Sequence, residues 1–249
     1  MPSRLKLIVA YDGAPFSGWQ SQPNGNGIQD HLENALERIC SERVRVHGAG
    51  RTDAGVHALA QCAHVDLPVR RYDADRWRAA LNGVLPLAIR VMRARFVTES
   101  FHARFSAKGK IYRYRIWNDD VLPPLENGRA WHIREPLDRA AILTGSQLFA
   151  GRHDFAAFAA NRGAPISDTT RTLGRVRVRN SGPLLSIEFE GDGFLYKMAR
   201  LLAGALVEVG LGTVSANEIQ SRLSHPKRRF PQARNAAPAA GLFLVRVRY

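Results

Sequence analysis

The chain has 249 residues, enough to bury a real core in one large domain or two modest ones. Its 45% apolar and 23% charged content is an ordinary globular balance, but its net charge is +14, carried by 31 Arg and 5 Lys against 22 acidic residues. Arg forks match phosphate oxygens two at a time, so nucleic acid is the first partner to consider, beside the plainer reading of a composition biased toward Arg. Two cysteines, Cys40 and Cys62, exclude a Cys-based metal site or a disulfide framework and read as buried thiols in a reducing compartment. The apolar run in "MPSRLKLIVAYDGAPF" is too short for a signal peptide and no stretch is long enough to span a bilayer, so a soluble, cytoplasmic protein is expected.

In chain order, "LKLIVAYD" alternates Leu5, Leu7, Val9 and Tyr11 and predicts a strand. "IQDHLENALERIC" places Ile28, Leu32, Ala35, Leu36 and Ile39 on one helical face. "VRVH" and "LAQCAHVDL" predict two strands on either side of a Gly-rich turn, and "DADRWRAALNGV" a helix with an Asp N-cap. "AIRVMRARFV" predicts a strand with Met92, Ala94 and Phe96 on one face and Arg93 and Arg95 on the other. The first half thus reads β-α-β-β-α-β.

The second half repeats the order. "KIYRYRIWN" is a strand with Tyr112, Tyr114 and Ile116 on one face and Ile111, Arg113 and Arg115 on the other. "PLDRAAILTGSQLFAG" is a helix ended by Gly151, and "GRVRVRN" and "LLSIEFEG" are strands flanking a Gly182-Pro183 turn. "FLYKMARLLAGALVEVG" is an apolar helix ended by Gly210, "SANEIQSRLSH" a helix capped by Ser215, and "GLFLVRVRY" a terminal strand. The expected architecture is α+β: two similar split β-α-β-β-α-β halves, residues 1–105 and 106–249, forming a mostly antiparallel sheet with helices packed against it. "NDDVLPPLENGRA", "AANRGAPISDTTRT" and "HPKRRFPQARNAAPAAG" read as loops. The last two are basic and suit contact with a polyanion as well as they suit plain connection. In the last, Lys227, Arg228, Arg229 and Arg234 are the candidate phosphate contacts.

The chemistry-bearing stretch is "HGAGRTDAGVHALAQ", His47 to Gln61. A dinucleotide-binding G-x-G-x-x-G would need Gly at position 53, where Asp stands, and no helix pattern follows. The Gly-Lys-Ser/Thr of a P-loop and a G-x-S-x-G elbow are both absent. His57 and His64 read as too isolated from Cys or carboxylate partners to argue for a metal site. What remains is Asp53 beside Arg51 on a glycine-bracketed turn. A neighbouring cation keeps an Asp ionised, and an ionised Asp can act as a nucleophile without metal or cofactor. From this stretch alone an Asx-type turn with a surface Arg is the better reading, because Asp in Gly-rich turns is common.

The wider sequence resembles the TruA family of tRNA pseudouridine synthases. The family's opening signature, YDG-x-x-F-x-GWQ-x-Q and a VQ-x-x-LE-x-AL helix, stands here as "YDGAPFSGWQSQPNGNGIQDHLENAL". Its catalytic signature GRTDAGVHA-x-x-Q is intact from Gly50 to Gln61. "NGVLP", "FHARFSAKGKIYRYRIWN", "TRTL", "GFLYKMARLLAGALVEVG" and "APAAGLFLVRVRY" complete the order, so the match runs from Tyr11 to Tyr249. One departure stands out: the family often shows MVRN-x-x-G where this chain has "MARLLAG", keeping Arg200 and Gly204 and changing the positions of Ala199 and Leu201.

The resemblance implies a pseudouridine synthase fold and isomerisation of uridine to pseudouridine in the anticodon stem-loop of tRNA, at tRNA positions 38, 39 and 40, without cofactor or metal, by a homodimer. The family's catalytic Asp falls on Asp53, and its Arg thought to fill the place of the extruded nucleotide falls on Arg51. Its active-site Tyr falls on Tyr112, its helix-borne Arg that pairs with the catalytic Asp on Arg200, and its apolar wall beside the uracil includes Leu244. The reaction breaks N1–C1′ and rejoins the ring through C5, so the nucleotide has to leave the stack. Attack by Asp53 at C6, attack at C1′ and proton removal at C2′ are all compatible with one carboxylate. A non-catalytic RNA-binding protein would tolerate loss of Asp53, and a glycosidase-like enzyme would want two placed carboxylates where this chain offers one.

Overall fold

The structure is a computed structural model that describes residues 3–68, 71–160, 168–226 and 236–249. The elements run β1 (Ser3–Tyr11), α1 (Ile28–Cys40), β2 (Val46–Gly48), β3 (His57–Leu67), α2 (Ala74–Val84), β4 (Ile89–Val97), β5 (Gly109–Asn118), β6 (Trp131–Ile133), α3 (Arg139–Gln147), β7 (Gly151–Asp154), β8 (Thr170–Ser181), β9 (Leu184–Gly191), α4 (Met198–Gly210), α5 (Ala216–Ser224) and β10 (Leu242–Arg248). They form two compact units: Met1–Lys108 together with Phe243–Tyr249, and Gly109–Leu242.

In the first unit, β1 is antiparallel to both β3 and β4, β2 is antiparallel to β3, and β10 adds to β3 in parallel, Phe243 opposite His57 and Leu244 opposite Ala58. The last strand, placed by its sequence with the second half, thus belongs to the compact unit of the first. Leu5, Leu7 and Val9 are fully buried at every second position of β1, as their alternation predicts. The expected alternation of β4 breaks at Met92. The register against β1 slips between Ile8–Arg93 and Val9–Val91, which leaves Met92 as the extra residue of a bulge and exposed. The slip keeps Ile89 and Val91, both buried, in phase with Ala94 and Phe96 opposite the buried side of β1.

Helix α1 is held at its start by Asp30, whose carboxylate accepts from the Gly27 N–H at 2.8 Å. Its buried face includes two polar residues that periodicity assigns to no core: Gln29 and Glu33. The Gln29 amide donates to Glu33 Oε1 at 2.8 Å, and the same oxygen accepts from the Val46 N–H at 2.9 Å. One carboxylate therefore joins the helix to β2. Helix α2 begins at the expected Asp cap: Asp73 accepts from the Arg76 N–H at 2.8 Å.

In the second unit the strand order is β5-β9-β8-β7, antiparallel throughout, with β6 parallel to β5 on its other side. Tyr112, Tyr114 and Ile116 face Phe189, Ile187 and Leu185 across the β5–β9 ladder, and all six are buried. The opposite face is polar, with Arg113 ion-paired to Glu188 at 2.7 Å. The segment expected as a helix from Phe194 begins as one only at Met198, because Lys197 takes a left-handed φ of 57°. The helix expected to run to Gly151 ends at Gln147, and Gly151, at φ 108°, opens β7 instead. Strands β6 and β7, of three and four residues, are too short to carry a periodicity signal. The loop read from Asn118 to Ala130 contains a short 3₁₀ turn at Pro124–Glu126, anchored by Arg115 to Glu126 at 2.8 Å. Among the described residues no helix is long and apolar enough to cross a membrane.

Candidate active site

The loop carrying Arg51 and Asp53 joins β2 to β3, and the opening signature of the chain fastens it residue by residue. Ala49 N–H donates to the Cys62 carbonyl at 2.8 Å, and the Gln61 side chain donates to the Gly50 carbonyl at 2.9 Å. The Trp19 N–H donates to the Thr52 carbonyl at 3.0 Å, and the Tyr11 hydroxyl lies 2.8 Å from Thr52 Oγ1. Val56 N–H closes a turn onto the Asp53 carbonyl at 3.1 Å, with Gly55 at φ 78°.

Two glycines of the opening segment exist for close approach to this backbone. A Cβ on Gly13 would lie 2.0 Å from the Val56 carbonyl oxygen. A Cβ on Gly18 would meet the Thr52 carbonyl oxygen at 2.7 Å, and Gly18 itself sits at φ 93°. The Y-D-G and G-W elements of the first signature are thus the mould of the second. Tyr11 is buried, and that burial pushes its phenol far above the ordinary range, with Thr52 and Gln61 opposing; it is a fixed hydroxyl rather than a proton carrier.

The end of the loop is set by His57. Its Nδ1 lies 3.1 Å from the Gly13 N–H and 3.2 Å from Asp12 Oδ1, and its ring stacks on Phe243 at 4.6 Å. Buried Leu244 follows, beside Ala58. The first unit therefore brings Asp53, half-buried, Arg51, exposed, and Leu244 to the β3 end where the loop arrives.

Tyr112 and Arg200 belong to the second unit. Tyr112 is buried on β5, with the Phe194 ring edge-on at 4.8 Å. Arg200, in the first turn of α4, donates from Nε to the Ala237 carbonyl at 2.6 Å, while its own carbonyl accepts from the Ala237 N–H at 3.2 Å. The Tyr114 hydroxyl donates to the next carbonyl, Pro238, at 2.8 Å. Burial drives the Tyr114 hydroxyl far above its usual range, with Arg200 near enough to pull the other way. Arg200 on α4 thus lies near Tyr114, on the buried face of β5 that also carries Tyr112.

Sequence reasoning named Asp53, Arg51, Tyr112, Arg200 and Leu244, but not the residues that hold them. Tyr11, Gly13, Gly18, Trp19, Gln29, Glu33 and Gln61 all lay inside the matched signatures, and that membership was the available signal. His64, read as isolated, sits in a ring cluster with His47 and His102. Lys227, Arg228, Arg229 and Arg234, the candidate phosphate contacts, lie outside the described residues. Among the described residues no group of three His, Cys, Asp or Glu side chains is arranged to hold a metal ion.

A family model described as tRNA pseudouridine synthase matches residues 7–106 and 146–249. Curated relatives named tRNA pseudouridine synthase A include one from Akkermansia muciniphila, 44% identical over 99% of this chain and 95% of that one. Another, from Methylacidiphilum infernorum, is 43% identical over 98% and 94% of the two chains. A third, from Acetivibrio thermocellus, is 40% identical over 98% and 99%. A solved Cbf5-Nop10-Gar1 complex aligns with 82% of this chain and 45% of its own at 13% identity and a TM-score of 0.38, a likeness too slight to carry an argument.

Proposed function

Since the chain belongs to the tRNA pseudouridine synthase family, and so is an enzyme that isomerises uridine to pseudouridine in tRNA, we propose that its targets are positions 38, 39 and 40 of the anticodon stem-loop and that Asp53 carries the chemistry. In this reading it works in the cytoplasm as a homodimer, without metal or cofactor. The isomerisation is balanced within the nucleotide: N1–C1′ breaks, C5–C1′ forms, the C5 proton leaves and N1 gains one. No electron or group has to be supplied from outside.

The observation that carries the reading is the fastening of the Arg51–Asp53 loop. Backbone hydrogen bonds from Trp19 and Val56, a buried tyrosine on Thr52 and two glycines where any Cβ would collide with the backbone serve one eight-residue loop. An Asx turn on a surface needs none of this, whereas a nucleophile has to be held within a fraction of an ångström of its target. Arg51, exposed beside it, suits insertion where the flipped nucleotide has left the stack. Tyr112 offers a ring to the uracil and a hydroxyl for the C5 proton. Arg200 is the cation that the family resemblance pairs with the catalytic carboxylate, which it would keep ionised. Leu244 would form apolar wall.

The test is a transcript of the anticodon arm, incubated with the enzyme in buffer free of added metal and cofactor, with pseudouridine mapped by position. Conversion at 38, 39 or 40 supports the reading. Conversion confined to another arm of intact tRNA refutes the target assignment.

A further inference from the structure

The first unit holds a second ring cluster that takes no part in fastening the Asp53 loop. His47 on β2 lies face to face with His64 on β3, ring centroids 4.9 Å apart. His102 stands 4.6 Å from His64, and Phe105 stands 4.3 Å from His102. Three consecutive backbone N–H groups lock this cluster. Ala103 donates to His64 Nδ1 at 3.1 Å, and Arg104 and Phe105 donate to His102 Nδ1 at 3.1 and 3.3 Å. The Ser106 hydroxyl accepts from the His102 N–H at 2.9 Å, closing the turn from the other side.

An imidazole whose Nδ1 accepts hydrogen bonds in this way is neutral if its other nitrogen carries the one proton. Burial, with Arg4 and the two other histidines adding to it, holds His64 down to about 4, and burial lowers His102 as well. Near neutral pH His64 and His102 are therefore uncharged rings. The outermost ring of the cluster is Phe105, 76% exposed, with the Arg104 guanidinium 5.6 Å from its ring centre.

A single exposed phenylalanine is ordinary. A ring on a hydrogen-bonded turn, backed by a tilted imidazole and flanked by a guanidinium, has the composition of surfaces that stack nucleobases. Its place supports the same reading. Exposed Arg43 and Arg45 lead into β2, and Arg51 follows His47 by four residues, a span of at most about 14 Å.

We propose that Phe105, backed by His102 and flanked by Arg104, is a stacking platform for an unpaired base of the tRNA substrate near the nucleotide that Arg51 approaches. A second copy of the chain is the other occupant an exposed ring could have, but the net charge of +14 and the arginines around the turn favour a polyanion. The inference rests on tRNA as substrate and not on which positions are modified.

The test compares Phe105→Ala, Phe105→Leu and Phe105→Trp with wild type, each checked for an unchanged thermal midpoint, in tRNA affinity by fluorescence anisotropy across a salt series and in oligomeric state by sedimentation. Ala and Leu should weaken binding roughly 5- to 150-fold, Trp should restore it, and the salt slope should stay the same because no phosphate contact is lost. Wild-type affinity in the Leu variant, or a loss of affinity that tracks a loss of self-association, would overturn the platform. That failure would leave pseudouridine formation by the wild-type enzyme intact, whereas failure of the anticodon assignment would leave the Phe105 series readable in binding alone.

Discussion

Gly18 and Asp53 are the residues whose demands on the chain conflict with ordinary side-chain chemistry, and they meet at the same peptide groups. Gly18→Ala places a Cβ 2.7 Å from the Thr52 carbonyl oxygen at a φ of 93°, so either the helix entry or the Asp53 loop has to move. The expected outcome is a loss of about 1–3 kcal/mol in urea unfolding and a fall in single-turnover rate larger than the fall in tRNA affinity. A variant that folds less stably but turns over normally would show that the loop tolerates displacement. His64 sets a pH limit. Its folded value near 4 lies below the ordinary 6.5, so the unfolded chain binds the extra proton first. Stability is unaffected above about pH 6.5 and is lost as pH falls from there toward 4, and the denaturant midpoint should follow that window in wild type but much less in His64→Asn. At this scale Asp53 was legible because glycines bracket it and an Arg stands two residues away. Gln29 and Glu33 were not, since a polar residue on an amphipathic helix reads as solvent-facing until its partner, here the Val46 N–H, is known.

Helix α1 and strand β2 act as one element through that carboxylate. Glu33→Ala leaves the buried Val46 N–H and the Gln29 amide without their acceptor. The expected cost is about 1–3 kcal/mol by urea denaturation, with faster amide exchange at Val46. Exchange at Val46 unchanged from wild type would mean that the β2 ladder holds without the helix. Most strands and helices were legible from alternation and caps: Asp73 and Ser215 cap α2 and α5 as their positions predict. The misses have local causes. The Met92 bulge leaves every residue type in place while changing its face, the left-handed Lys197 delays α4 by four residues without a glycine to announce it, and β6 and β7 are too short for alternation to stand out.

At the scale of the whole molecule, the net charge of +14 sets the expectation for tRNA binding. If roughly 6–10 phosphates are neutralised, affinity should fall about 10³–10⁵-fold between 50 and 200 mM salt. A flat response would remove the basic surface from the account. The first half was legible as β-α-β-β-α-β, but in the second the short strands β6 and β7 interrupt the expected repeat, and the place of the last strand was not legible. Its sequence follows the second half, and only its pairing with His57 and Ala58 shows that it belongs to the compact unit carrying Asp53. The most direct measurement is the single-turnover rate of pseudouridine formation, with tRNA affinity, for wild type and Asp53→Asn on an anticodon-arm transcript. The carboxamide keeps the shape and removes the charge, so isomerisation should vanish while affinity changes by about tenfold or less. Pseudouridine formed by Asp53→Asn at near the wild-type rate would contradict the account and return Asp53 to the role of a turn residue.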